Sequence, residues 1–105
     1  MRETETNQME MTVDVLVVKM KLYAPWVHSL KEKRMIVKSI QGKLRSKYQV
    51  SVAEVESQDV HQTIVIAVAA IVAHRAQADS LKEAILQFVE MNTEAEIIEF
   101  EDEIR

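Results

Sequence analysis

A strand-like pattern, a helix-like pattern and a second strand-like pattern follow one another twice along this 105-residue chain. Residues 13–23 place their side chains on two alternating faces, and period two with β-branched residues is typical of a β-strand. The outward face carries Lys19, Lys21 and Tyr23, and Val15 and Val17 make it apolar over half its length. The inward side of this strand carries Leu16, Val18, Met20 and Leu22. Residues 50–55 and 95–100 predict two shorter strands. Residues 63–74 are apolar on both faces, which predicts an internal strand covered on both sides.

The first helix is predicted to follow a turn over residues 24–28. Ser29 and Glu32 form a capping box, in which the serine accepts from an exposed helical N–H and the glutamate reaches back. At 100° per residue, the apolar stripe consists of Leu30, Val37, Ile40, Leu44 and Tyr48. A separate arc of about 60° carries Lys31, Arg34, Lys38 and Arg45. The helix is therefore amphipathic and has a basic outer edge.

The second helix is predicted to open at Asp79 and Ser80, because Ser80 begins the same Ser-Leu-Lys-Glu tetrapeptide that Ser29 begins. Its apolar stripe consists of Leu81, Ala84, Ile85, Phe88 and Val89. Two successive strand–helix–strand units outline the split βαβ, or ferredoxin-like, fold. We expect one α+β domain over residues 12–105, with βαββαβ order, a four-stranded antiparallel sheet and both helices on one face. Residues 1–11 are predicted to be a flexible N-terminal extension.

Charge is segregated along the chain, although the net charge is only −4. Lysine and arginine dominate residues 19–47, where Glu32 is the sole acid, whereas acidic residues dominate residues 54–105. Side chains respond to the local field rather than to the summed charge. The pattern predicts a basic helix and an acidic end, Glu101 to Glu103, after the last strand. Each of these segments also has a simpler interpretation as a solvated surface.

Composition excludes several classes of protein. The chain has no cysteine, so disulfides and thiolate chemistry are excluded, and its single glycine excludes a glycine-rich phosphate loop. The longest apolar run, residues 64–73, is too short to cross a bilayer as a helix, and the polar first ten residues do not resemble a secretory signal. We therefore expect a cytoplasmic protein without membrane partners.

Two stretches resemble a known family. His28 to Arg34, with Leu44 and Arg45 downstream, forms the first, and residues 50–55 with Asp59 form the second. Together they resemble the YlxP-like family of bacterial proteins, over about residues 13–89. The resemblance implies a ferredoxin-like fold, a bacterial cytosol and a loose genomic association with translation and ribosome maturation. The family is a domain of unknown function, so it implies no activity.

The split βαβ topology brings the start of the first helix close to the loop between the middle strands. An anion site is one interpretation of this end, because helix N–H groups and cations attract phosphate. Its residues would be His28, Lys33, Arg34, Asp59 and His61. The alternative is ordinary capping, packing and solvation of the same residues. No metal site or cofactor is predicted, because the His and Asp residues lack helical ligand spacing. We expect no catalytic residues and no enzyme activity, with an uncharacterised activity near His28 as the alternative.

Two partner hypotheses remain open. In the first, RNA or a ribosomal precursor binds the basic helix through Lys31, Lys33, Arg34, Lys38 and Arg45, together with His28. Trp26 is then the exposed aromatic residue available for stacking, with packing over the core as the alternative. In the second, the protein is a homo-oligomeric interaction module without nucleic acid. Two helices cover one sheet face, so an apolar second face or a strand edge would form a homodimer.

Overall fold

The chain folds into two strand–helix–strand units, as its pattern predicts. The computed structural model describes residues 13–105, and the predicted flexible extension of residues 1–11 lies outside the described residues. The elements are β1 Asp14–Tyr23, α1 Leu30–Lys47, β2 Ser51–Glu56, β3 Thr63–Val72, α2 Arg75–Asn92 and β4 Glu96–Ile104. The domain boundary at residue 12 stays a prediction.

The four strands form one antiparallel sheet in the order β2-β3-β1-β4. Along β1, Leu16 lies opposite Ala70 of β3 and Ile104 of β4, and Val18 lies opposite Val68. Because side chains alternate along a strand, these residues share one sheet face. The predicted ferredoxin-like α+β fold is confirmed.

The hydrophobic core lies between this face and the two helices. The inward residues of β1 and β3 are buried, and Val37, Ile40 and Leu44 of α1 belong to the same buried cluster. From α2, Ile85 and Val89 complete the core, with Phe88 in edge-to-face contact with Tyr48. The predicted stripes therefore point inward in both helices. α1 lies against β2, whereas α2 contacts β1, β3 and β4, so α1 and β4 lie toward opposite sides of the sheet.

The predicted start of the second helix is wrong. α2 begins at Arg75, with His74 as its N-cap, so Ser80 lies inside the helix. His74 Nδ1 accepts from the Gln77 N–H at 3.3 Å, and Gln77 Oε1 accepts from the Ala73 N–H at 2.7 Å. Histidine and glutamine thus perform the reciprocal capping that serine and glutamate perform elsewhere. The repeated tetrapeptide marks a helix start only at Ser29, whose Oγ accepts from the Glu32 N–H.

Two strand predictions also need correction. β3 ends at Val72, because His74 belongs to the cap of α2, and helices cover only one of its faces. The acidic end does not follow the last strand, because β4 continues to Ile104 and pairs along β1. Val15 and Arg105 exchange two backbone hydrogen bonds of 2.8 Å. The open sheet face tolerates acidic residues at alternate positions, so pairing with β1 is not opposed by burial.

Gly42 is expected to lower the stability of α1, and alanine at this position should restore it. A Cβ atom at this position would meet no heavy atom within 4 Å, and the residue is exposed. Glycine in a helix interior costs about 0.5–1 kcal/mol relative to alanine because of its backbone entropy. We expect Gly42→Ala to raise the free energy of unfolding by that amount in urea titrations. Equal or lower stability would mean that the α1 backbone is not regular at this position.

Candidate nucleic-acid interface

The outer side of α1 carries a row of four cations, Lys31, Arg34, Lys38 and Arg45, which we call the basic face. All four are exposed, as the helical periodicity predicts. Lys31 and Arg45 are 14 positions apart, which is about 21 Å at the helical rise of 1.5 Å per residue. Arg45 also donates from its guanidinium to the Val52 carbonyl at 3.1 Å, which fixes its position beside β2. The basic face is thus a linear array rather than a cluster.

No carboxylate of residues 13–105 forms an ion pair with the basic face. The ion pairs within this range join Lys19 to Glu56, Lys33 to Glu54, Lys82 to Asp102 and Arg105 to Glu103. The predicted acidic end is held in β4, whereas α1 lies over the β2 side of the sheet. Within the described part of the chain, the positive field of the basic face is therefore not cancelled at short range.

The prediction that Lys33 binds an anion together with the basic face is wrong. Its side chain is only 1% exposed. The ammonium donates to the carbonyls of Ser57 at 2.6 Å and Val60 at 2.8 Å, and it lies 2.9 Å from Glu54 Oε2. That carboxylate oxygen is buried and contacts Lys33 as an ion pair rather than through a well-aligned hydrogen bond. The charge of Lys33 is therefore used inside the protein.

Helical periodicity contained a signal for the burial of Lys33. The residue lies four positions before Val37 and seven before Ile40, which places it on the apolar stripe rather than on the basic face. A lysine on such a stripe requires a buried partner. Glu54 supplies it, because Glu54 lies opposite Ile66 and so projects from β2 on the face that the helices cover.

The end of the sheet beside the start of α1 is organised around Lys33. Ser57 has a φ of 56°, and its carbonyl accepts from both the Val60 N–H and Lys33. Farther along the β2–β3 loop, Gln62 donates to Pro25 at 2.8 Å and its carbonyl accepts from the Ala24 N–H. The predicted proximity of this loop to the start of α1 is therefore observed.

The candidate anion-site residues other than Lys33 are exposed at this end. His28 donates its backbone N–H to Glu32 at 2.8 Å, which completes the cap of α1. Asp59 and His61 lie on the surface of the β2–β3 loop. Within residues 13–105, no group of three or more His, Cys, Asp or Glu residues is arranged to hold a metal ion. The structure leaves His28 and Arg34 as the members of this set that are exposed at the start of α1.

Trp26 is 41% exposed and lies in the turn between β1 and α1. The indole ring therefore remains available for stacking. It is not the single exposed aromatic residue that the sequence suggested. Tyr23, at the end of β1, and Phe100, on β4, are exposed to a similar degree.

The sheet face opposite the helices, which we call the open face, is apolar over only half of its length. Ile71 is 73% exposed there, with Val15 and Ala69 as half-buried neighbours. Toward the other end, Lys19 hydrogen-bonds to Glu56, and this bond raises the pKa of the Lys19 ammonium. On β1, the apolar patch is therefore confined to the half of the face on which the sequence places Val15 and Val17. A homodimer through this face or a strand edge stays a prediction.

Comparison with known proteins gives a consistent identification. The family described as "Protein of unknown function (DUF503)" matches residues 15–102. The "Uncharacterized protein YlxP" of Bacillus subtilis (strain 168) is 34% identical over 68 residues, which cover 65% of this chain and 74% of that protein. Neither of the helices described in residues 13–105 is long and apolar enough to cross a membrane. The resemblance that the first-helix motif and the second strand suggested is confirmed, and the chain belongs to the DUF503 family.

Proposed function

We propose that this domain binds the sugar–phosphate backbone of RNA in the cytoplasm through the basic face of α1, without catalysing a reaction. The observation that carries the proposal is a row of exposed cations on one helix face with no carboxylate partner among residues 13–105. Opposite charge along such a row favours a polyanion, because each neutralised phosphate releases condensed counterions.

The spacing of the cations supports a long polyanion over a single bound anion. Lys31, Arg34 and Lys38 recur at every turn of the first half of α1, and Arg45 follows two turns later. A single phosphate would bind more tightly to cations that converge on one point. At the start of the row, Trp26 presents an exposed ring on which a base can stack. A ribosomal precursor has a high density of phosphate and is therefore a ligand that this row of cations suits.

Salt dependence provides the direct test. With the full-length protein and a fluorescein-labelled oligouridylate, we expect the logarithm of the association constant to fall linearly with the logarithm of salt concentration. Four phosphate contacts give a slope of about −3 at about 0.7 per contact for single strands. A matched polyglutamate peptide serves as the competitor. A slope near zero, or displacement of RNA by polyglutamate at equal charge, would favour an acidic protein as the partner.

A further inference from the structure

An apolar groove with an acidic rim lies between α2 and the free edge of β4. Its volume is about 500 Å³. Leu86, Ile97, Ile98 and Phe100 supply apolar surface, and Glu83, Glu90 and Glu99 supply carboxylates. Ile98 and Phe100 are each 50% exposed, although both are large apolar residues on an edge strand. An exposed apolar strip of this kind on an edge strand marks an interaction site more often than bare surface.

Most of the negative charge of the groove rim is unpaired within the described residues, although Glu99 lies opposite Lys21 in the sheet and attracts the Lys19 ammonium. Glu83, Glu90 and Glu99 form no ion pair within residues 13–105. Lys82, the neighbouring cation on α2, lies 3.6 Å from Asp102 and is thereby already paired. The rim therefore repels phosphate and anionic lipid, and attracts ammonium and guanidinium groups. This location is remote from α1, which lies toward the β2 edge.

We infer that the groove binds a lysine- or arginine-rich segment of another protein in which apolar residues are interspersed. Apolar side chains of the segment contact Leu86, Ile98 and Phe100, while its cations pair with the glutamates of the rim. Among the described strands β4 pairs only with β1, so its outer edge also offers backbone donors and acceptors to a bound chain. The chain's own residues 1–12 are a poor match in charge, because they contain three glutamates and one arginine.

Binding of synthetic peptides to the full-length protein tests this inference. The probe is a labelled 15-residue peptide of interspersed lysine and leucine, compared with a lysine–serine peptide of equal charge and a glutamate–leucine peptide. We expect the lysine–leucine peptide to bind at least about tenfold more tightly than the lysine–serine peptide, and the glutamate–leucine peptide not to bind. Equal affinity for the two lysine peptides would overturn the inference, because it would show charge attraction without an apolar groove.

Two groove variants and one control locate the binding. The first variant combines Glu83→Gln with Glu90→Gln, and the second is Phe100→Ser. We expect each of them to weaken binding of the lysine–leucine peptide by about tenfold or more. Asp59→Lys raises the net charge by the same two units as the glutamine pair, but in the β2–β3 loop, which β1 separates from β4, and should leave affinity nearly unchanged. Equal weakening by Asp59→Lys would overturn the inference. So would self-association in sedimentation that the glutamine pair abolishes, since the occupant would then be a second copy.

Discussion

Replacing Lys33 with alanine is expected to lower the free energy of unfolding by about 3–5 kcal/mol, the usual cost of removing one partner from a buried ion pair. Glu54, whose side chain is 16% exposed, would retain a largely buried carboxylate without a counter-charge. Two loop carbonyls, those of Ser57 and Val60, would lose their donor at the same time. The variant would also leave a void where the lysine stem packs.

Removing the Lys33 ammonium should destabilise the β2–β3 loop more than other parts of the domain. Ser57 adopts a left-handed backbone conformation, which is unfavourable for a residue other than glycine. The Lys33 ammonium holds its carbonyl, so removing the ammonium removes the contact that stabilises this conformation. In the Lys33→Ala variant, we expect amide exchange over residues 57–62 to be accelerated, relative to the unsubstituted protein, by more than it is in the strands of the sheet.

Urea titration of the single and double variants measures the effect. Lys31→Ala is the matched control, because Lys31 lies on the same helix but is exposed, and its loss should cost less than about 0.5 kcal/mol. Lys33→Met combined with Glu54→Gln removes both charges, and should recover part of the lost stability. A cost for Lys33→Ala as small as that for Lys31→Ala would contradict the buried pair.

The fold was predictable because its signals are local and periodic. Alternation along β1 placed Leu16, Val18 and Met20 on the core face, and period 3.6 along α1 placed Val37 and Ile40 there. The order of the elements then predicts the split βαβ fold, and the structure has this fold. The exposure of Lys31, Arg34 and Lys38 follows from the same periodicity.

The structure differs from the sequence-based predictions where non-local contacts or unusual helix caps determine it. Periodicity indicates that Lys33 is buried, but its partners, Glu54 and a loop carbonyl, lie more than twenty positions away, and no local pattern identifies them. Histidine is an uncommon N-cap, so the local pattern extends the strand to His74 and favours Ser80 as the helix start, whereas α2 begins at Arg75. The acidic run from Glu101 to Glu103 predicts an end beyond the last strand, whereas pairing with β1 continues β4 through these residues.

Reversing three cations of the basic face is expected to weaken RNA binding by about 100-fold or more. The variant is Lys31→Glu, Arg34→Glu and Lys38→Glu. At 0.1 M salt, each lost phosphate contact removes about 0.7 logarithmic units of counterion-release affinity, so three contacts account for about two units before any repulsion is added. The slope of affinity against salt should fall by about two units in parallel. Arg45 is left in place, because its guanidinium donates to Val52 and its loss would also disturb β2.

A charge-matched pair of variants separates the basic face from general attraction to a cationic protein. The first variant combines Lys31→Gln with Lys38→Gln on the basic face. The second combines Lys21→Gln on the open face with Arg75→Gln at the start of α2. Each variant removes two positive charges. Binding through α1 predicts that the first pair weakens RNA binding by about 25-fold at 0.1 M salt, and that the second pair leaves the affinity for RNA within about twofold. Equal effects of the two pairs would mean that RNA responds to the summed charge of the molecule. The row on α1 would then be an ordinary solvated helix surface.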